Sequence, residues 1–564
     1  MSFRLSRRGA LKGLVTLPGV ASIAACGAAG DEDEVEQEAD AVSSRELLSR
    51  YKKIVVLVME NRSFDHYFGH LSLPVSEGGK GRTDVNGFRS KAAHFNLDRN
   101  GNKVHIFEPK KDDGKPDYMI GDITHEWDAV HASLANNNGG FVKAHEEDLA
   151  LPPKEDGTPG SVCWGTTTGD ERNTPLCAKP HDPMAYYTDK DTPIYHQLID
   201  EYALCDSWFC SVPGPTWPNR FYLHSGSSGG RKDNKPLSGT FREAGRNSIF
   251  GLVSAHKRRL AREYPNVDGD RLCVDFFADV PLLPIMFPAA LGLGDGLDFI
   301  NLLPNFNYAH IFDAPRGEGY AALTRLSGKI FGDKVPRGLL NSLATWRRSP
   351  TFETMCREGT LPPISILEPP YQLAPADDHA PHHIMMGQAF VASIYKMLKD
   401  SPDWEHTLFI ITYDEHGSLY DHVTPPVDPN EENPDFRQLG FRVPTLIIGK
   451  GVKQGFVDHT KYDHCSVLST LGARFDIGYA NRRVEKANPI NAAIASTGGS
   501  RGNLDLTPVR MSELEVHESA KYAHGQKGIV DRGFHGHVPI EAKRVFTDEM
   551  LGIFDRMGIA KVTA

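Results

Sequence analysis

A chain of 564 residues is too long for one small hydrophobic core, so its length points to a large α/β core or two to three domains. Hydrophobic residues at 40% and charged residues at 24% describe a water-soluble globular body, not a membrane bundle, a collagen or a disordered chain. A formal net charge of -11 opposes binding to a phosphate backbone by bulk charge, which argues against a nucleic-acid partner.

Residues 1–26 read as an export signal. Ser6-Arg7-Arg8-Gly9-Ala10-Leu11-Lys12 is a twin-arginine pattern, and the apolar stretch from Gly13 to Ala25 is too short to span a bilayer. It ends in Ile23-Ala24-Ala25-Cys26, which has the form of a bacterial lipobox. Lipidation of Cys26 would anchor the protein to the cell envelope; the alternative is an ordinary small-residue cleavage site with an incidental Cys. The expected partners are then the twin-arginine machinery and the membrane, and the expected location is the periplasm, the outer membrane or the medium. That route exports proteins already folded, often with a metal in place. Residues 27–50, acidic from Asp31 to Asp40 and without aromatics until Tyr51, are expected to be a disordered tether.

Residues 51–480 read as the core. Lys52 to Met59 and Thr407 to Tyr413 are short apolar runs of the kind buried on both faces of a parallel sheet, and Val443 to Ile448 reads the same way. Gly387 to Leu398 has a helical pattern, so strands alternate with helices as in a doubly wound sheet, where ligands bind at the carboxyl ends of strands. Residues 70–120 and 145–190 read as long surface excursions and 225–345 as an insertion or subdomain. Residues 481–564 complete the domain, with a closing helix from Ile540 to Met557. Of the eight Cys, an odd number lies beyond Cys26. Cys163 with Cys177, and Cys205 with Cys210, are candidate pairs, and no C-x-x-C metal spacing occurs.

Chemistry gathers at strand ends. Glu60 and Asn61 follow the first strand directly, and Asp414 and Glu415 follow the second. Carboxylates there are costly to bury unless paired or bound to a cation, so the two pairs together point to a shared divalent ion; either alone reads as a turn or cap. Ser211-Val212-Pro213-Gly214-Pro215-Thr216-Trp217-Pro218-Asn219-Arg220 places a hydroxyl, an amide and a guanidinium at a stiff turn entering a helix, a setting that favours an anion. Thr216 is there either a nucleophile or a helix N-cap.

Three long motifs in order carry a resemblance: Glu60-Asn61-Arg62-Ser63-Phe64-Asp65-His66-Tyr67-Phe68-Gly69, Thr216-Trp217-Pro218-Asn219-Arg220, and Tyr413-Asp414-Glu415-His416-Gly417-Ser418-Leu419-Tyr420-Asp421-His422-Val423-Thr424-Pro425-Pro426. With Leu361 to Tyr371, Asp378-His379, Gly387-Gln388, Phe441 to Pro444 and Tyr462-Asp463-His464, they resemble the phosphoesterase family of bacterial and plant non-specific phospholipases C and acid phosphatases over most of residues 52–475. The resemblance implies an alkaline-phosphatase-like three-layer α/β core, with a mostly parallel central sheet, helices on both faces and long loop insertions. It implies one divalent cation, of unknown identity, held by Glu60, Asn61, Asp414, Glu415 and the hydroxyl of Thr216, the nucleophile. His125, His379 and His422 would bind phosphate oxygens or protonate the leaving group, and Asn61, Asn219, Arg220, Glu368 and His416 would contact substrate. Gly417-Ser418 and Ala380-Pro381 depart from the family pattern without removing a proposed ligand. The expected activity is hydrolysis of phosphodiesters such as phospholipid head groups through a phosphothreonine. The alternatives are an acid-phosphatase-like phosphomonoesterase and, from another class, a non-catalytic phospholipid-binding lipoprotein.

Overall fold

A computed structural model of the chain describes residues 44–150, 163–164, 176–234, 248–277, 308–313, 350–370, 374–522 and 540–563. The export signal, Cys26 and most of the tether lie outside the described residues. The end of the expected tether does not: residues 44–48 are helical, and Leu48 and Tyr51 are buried in the main core, because an apolar side chain on every turn gives this stretch something to bury.

Eight strands form the central sheet: β1 (Lys53–Met59), β2 (Ala203–Cys205), β3 (Cys273–Phe277), β4 (Tyr308–His310), β5 (Ile364–Glu368), β6 (Thr407–Tyr413), β7 (Thr445–Ile448) and β8 (Val457–Asp458), in the order β8-β2-β7-β6-β1-β5-β3-β4. β1 is parallel to both β6 and β5, and β3 is parallel to β5 and β4. Every residue of β1, β5, β6 and β7 is buried. Both faces of the sheet centre are therefore covered, which is why these strands read as continuous apolar runs. The fold is α/β with a mostly parallel sheet.

Two expectations are corrected here. β7 pairs antiparallel with β6 and with β2; a strand buried on both faces carries the same apolar run in either direction. Its one polar side chain near β6 is satisfied there, as Thr445 and Thr412 share a hydroxyl hydrogen bond of 2.8 Å. Part of 225–345, read as an insertion, supplies β3 and β4 to the sheet, and 249–263 forms helices that pack Ile249, Phe250, Val253 and Leu260 into the same core.

The principal helices that frame the site are α1 (Phe64–Phe68), α2 (Thr216–Ser225), α3 (Ile384–Lys399) and α4 (His464–Phe475). α3 is buried along most of its length, and the closing helix, expected from Ile540 to Met557, runs Ile540–Arg556. The excursions at 70–120 and 145–190 do more than cover the surface. Phe88, Val104, Ile106 and Tyr186 build a satellite core with Phe141, Tyr420 and Phe441. Cys205 and Cys210 are free buried thiols and do not pair. The short strands Cys163–Trp164 and Leu176–Cys177 set Cys163 opposite Cys177 in backbone register. Among the described residues no helix is long and apolar enough to cross a membrane.

Candidate active site

The register of the sheet builds the site. β1 and β6 run side by side so that Met59 faces Tyr413, and the residues leaving both strands, Glu60-Asn61 and Asp414-Glu415, emerge together at the carboxyl end of the sheet. The strand ends are stitched together by Asp414 N–H donating to Met59 O (3.0 Å) and Asn61 N–H donating to Asp414 Oδ1 (3.2 Å). Asn61 adopts a left-handed φ of 59°, a conformation Asn tolerates better than most residues. Gly417 also has positive φ, 62°, and a Cβ there would lie 2.4 Å from Asn61 O. Only glycine lets the second loop pass this close to the first. Its N–H donates to Glu415 Oε2 (2.7 Å), while Glu415 Oε1 and Asn61 Oδ1 are buried without a hydrogen-bond partner.

α2 brings the third motif. Pro215 occupies its N-cap, no side chain caps it, and Thr216 is its first helical residue, so Thr216 does not take the capping role left open for it. The turn is braced instead by Asn219, whose Oδ1 accepts from Val212 N–H (3.0 Å) and whose Nδ2 donates to the carbonyls of Val212, Gly214 and Pro215. Expected to touch substrate, Asn219 spends its amide on the backbone that presents Thr216. Arg220, one turn on, shares the Thr216 face of the helix. Its Nη2 donates to Glu60 Oε1 (3.1 Å), its Nε to Asp414 Oδ2 (3.4 Å) and its Nη1 to Glu368. Arg220 and Glu368, both expected on substrate, are paired with each other here.

One guanidinium does not offset this much buried negative charge. Burial pushes Asp414 up to about 6 and Glu368 up to about 7 with Arg220 opposing, and it raises Glu60 well above the carboxylate range, again against Arg220. The cluster is short of positive charge, and its two orphaned oxygens, Asn61 Oδ1 and Glu415 Oε1, are hard donors suited to a divalent cation. The residues expected to hold a metal thus fit one chemically. Among the described residues, three or more candidate ligand atoms converge within 4.8 Å at Asp122–His125–His379, Asp65–Asp421–His422, His224–Asp275–Glu368 and Glu513–His517–Asp548. Glu60, Asp414 and Glu415 do not form such a group, with Arg220 between the first two.

The histidines divide. His125 Nδ1–H donates to Ile123 O (2.8 Å), and Nε2 lies 3.3 Å from Asn61 Nδ2 and 3.8 Å from Glu415 Oε1. Burial alone would lower its pKa, but Glu415, Asp122 and Glu126 outweigh it and push it up to about 9. The His379 ring stands edge-on to His125 at 5.4 Å, with its backbone N–H on Asp377 Oδ1 (3.0 Å). These two are brought to the site. His416 is packed against Phe441 and Phe141, with Nδ1 3.2 Å from Glu415 Oε2, and burial lowers its pKa against the pull of Glu415; it walls the site behind Glu415. His422 is not brought to the strand ends: its Nδ1 is 2.6 Å from Asp65 Oδ2 and its Nε2 3.2 Å from Asn86 Oδ1, beside the Asp421–Arg442 pair.

Sequence reasoning assigned no role to Asp122, Asp275, Asp377, His224 or His464. His464 Nε2–H donates to Asp414 O (2.7 Å) and steadies the second strand end. Asp377 receives His379 N–H and lies 2.6 Å from His382 Nδ1, and its carbonyl accepts from Glu60 N–H (2.9 Å). Asp275 carried a usable signal, a carboxylate inside the otherwise apolar run Cys273–Phe277.

The chain is similar to known proteins over most of its length. Non-specific phospholipase C1 of Arabidopsis thaliana is 28% identical over 450 residues, covering 76% of this chain and 67% of that protein. Phospholipase C B of Mycobacterium tuberculosis is 25% identical over 476 residues, 77% of this chain and 75% of that protein. Non-hemolytic phospholipase C of Burkholderia pseudomallei is 26% identical over 461 residues, 76% of this chain and 56% of that protein. Among solved structures, a protein in the alkaline phosphatase superfamily from Vibrio parahaemolyticus is 13% identical with a TM-score of 0.26, over 66% of this chain and 83% of that one. The Phosphoesterase family description matches residues 51–263 and 335–478, which take in the strand ends and α2. The chain belongs to the Phosphoesterase family and is a hydrolase of phosphoester bonds.

Proposed function

We propose that this hydrolase is a phospholipase C-like phosphodiesterase that works through a phosphothreonine on Thr216, with one divalent cation held by Glu60, Asn61, Asp414 and Glu415. The observation that carries this reading is the pair of orphaned buried oxygens, Asn61 Oδ1 and Glu415 Oε1, beside the helix that presents Thr216. A cation there would screen the phosphoryl oxygens and favour the alkoxide of a nearby hydroxyl. Asn219 holds the turn that presents Thr216, and the helix N-terminus adds positive potential for an anion. Thr216 Oγ1 gives up its proton to solvent and forms the new bond to phosphorus as the bond to the leaving oxygen breaks. His125 gives a proton to that leaving oxygen and regains one from the water that then cleaves the phosphothreonine, while the departing Thr216 oxygen takes a proton from solvent and is restored as the hydroxyl. The similarity to phospholipases C favours diesters over monoesters. Parallel assays on p-nitrophenylphosphorylcholine and p-nitrophenyl phosphate test the preference. More than tenfold in kcat/KM for the diester, about 1.4 kcal/mol of transition-state discrimination, is expected; a preference for the monoester makes it a phosphatase. Chelation is expected to abolish turnover.

Export by the twin-arginine route and anchoring through Cys26 are part of the same proposal. Cys26→Ser is expected to move the protein from the membrane fraction to the soluble one, and an unlipidated Cys26 in the exported wild type refutes the anchor.

A further inference from the structure

We infer that the chain carries a second divalent-cation site formed by His224, Asp275 and Glu368, on the other side of Arg220 from Glu60 and Asp414. β3 and β5 are adjacent and parallel, with Asp275 opposite Ile366. Glu368 lies two residues beyond Ile366, so its side chain leaves the same face of the sheet as that of Asp275 and the two are diagonal neighbours. α2 supplies the third group one turn beyond Arg220. His224 Nδ1–H donates to Arg220 O (2.8 Å), which leaves Nε2 as the ring atom available to a ligand, 3.6 Å from Asp275 Oδ2. That distance is too long for a hydrogen bond. A backbone carbonyl on the far nitrogen is how metal-binding histidines are commonly oriented.

The second observation is Asp275 itself, which is 3% exposed and whose Oδ1 has no hydrogen-bond partner. A bare ion pair with protonated His224 would engage Oδ2 and leave Oδ1 buried and unmatched, which a carboxylate does not tolerate cheaply. One candidate atom from each of the three residues lies within 4.8 Å of the others, a span one ion can bridge. One imidazole nitrogen with carboxylate oxygens suits a borderline cation such as Zn2+ or Mn2+ better than Mg2+ or Ca2+. An ion here would also fix Glu368, the carboxylate that receives Arg220 Nη1, and so set the guanidinium against the other strand ends.

The inference is independent of the phosphodiester reading, and its test does not use activity. The full mature chain, stripped with a chelator and re-equilibrated with Zn2+, is expected to retain two ions by elemental analysis. Asp275→Asn and His224→Gln are each expected to retain one, Glu415→Gln one, and Asp275→Asn with Glu415→Gln none. If Asp275→Asn fails to fold, His224→Gln decides, with the visible absorption of Co2+-loaded protein reporting loss of a histidine ligand. A single ion that survives both Asp275→Asn and His224→Gln but is lost in Glu415→Gln overturns this site and leaves the first. A single ion lost in Asp275→Asn and kept in Glu415→Gln supports this site and removes the first. A wild type that retains no Zn2+ removes both.

Discussion

Two buried charge clusters grow from the same two motifs, a few residues apart. The first joins Glu60, Asp414 and Glu368 around Arg220. The second joins Asp65, Asp421 and His422 around Arg442. Each has carboxylates, one arginine and a nearby histidine, yet they are finished differently. Arg442 is fully buried; its Nε donates to Asp421, its Nη1 to Asn86 O and Asp206 O (2.8 Å each), and its Nη2 to Asp65 Oδ1 (3.0 Å). Burial would raise Asp65, but His422 and Arg442 more than offset it and hold it below the ordinary carboxylate range, while burial pushes Asp421 up to about 6 against Arg442. In the first cluster burial raises all three carboxylates against Arg220, and Asn61 Oδ1 and Glu415 Oε1 beside it stay without a hydrogen-bond partner. A saturated cluster pins the two motifs to each other, while an unsaturated one next to it is built to receive something. The contrast lies in hydrogen-bond completion, not in composition.

The sharpest break between the clusters is expected at Thr216. Thr216→Ala should lower kcat at least about a thousandfold, roughly 4 kcal/mol of barrier, with stability within about 0.5 kcal/mol of wild type because the residue caps nothing. Rapid quench with labelled substrate should find phosphate on Thr216 in the wild type, and an active Thr216→Ala variant would sink the nucleophile. The reverse pattern is expected of Arg442→Met, which strands Asp65 and Asp421 as buried charges. Denaturant titration should show a loss of about 3–5 kcal/mol, while kcat per folded molecule falls tenfold at most. A stable but inactive Arg442→Met would mean that the second cluster, too, serves chemistry.

The sequence could not separate these clusters, and the reasons are physical. β1 and β6 were legible because strands buried on both faces are unbroken apolar runs, and the carboxylates directly after them marked one end of the sheet. The direction of β7 was not legible, because a fully buried strand has no polar edge to show which way it runs. β3 was hidden by Asp275, whose charge interrupts the apolar pattern and whose partners His224 and Glu368 are distant in sequence. Thr216 stayed ambiguous until Pro215 was seen to take the N-cap. The resemblance puts His422 on substrate, and the sequence offers no correction, since an Asp-His pair inside a motif looks the same whether its imidazole faces a cavity or Asp65. Residue type and spacing report which groups meet; whether each is already satisfied is a property of the packed fold.

His422 therefore offers a gentler test. His422→Gln removes a charge-assisted contact to Asp65, and a loss of about 2 kcal/mol is expected by thermal or denaturant unfolding. Turnover per folded molecule should stay within a few-fold of wild type. A drop of a hundredfold or more in kcat without loss of stability would restore the catalytic role its motif position suggests.

The smallest effect concerns acid and the rim of the second cluster. His94 packs 5.1 Å from the His422 ring, and its Nε2 accepts from Arg89 N–H (3.1 Å). Burial lowers its pKa to about 4, against the pull of Asp65. A histidine lowered this way binds fewer protons folded than unfolded. Its neutral form costs nothing above the ordinary value near 6.5, and stability is lost as pH falls from there towards 4. At pH 6 the loss amounts to about 1 kcal/mol, growing by at most about 1.4 kcal/mol per further pH unit. His94→Gln keeps an acceptor for Arg89 N–H and cannot titrate, so its stability profile should be flatter than wild type between pH 6.5 and 4 and parallel to it above pH 7. The first cluster supplies the control, since Thr216→Ala titrates nothing and should track the wild-type profile throughout. If His94→Gln and wild type lose stability with the same slope below pH 6.5, the histidine is charged in the fold and the rim of the second cluster is open to water.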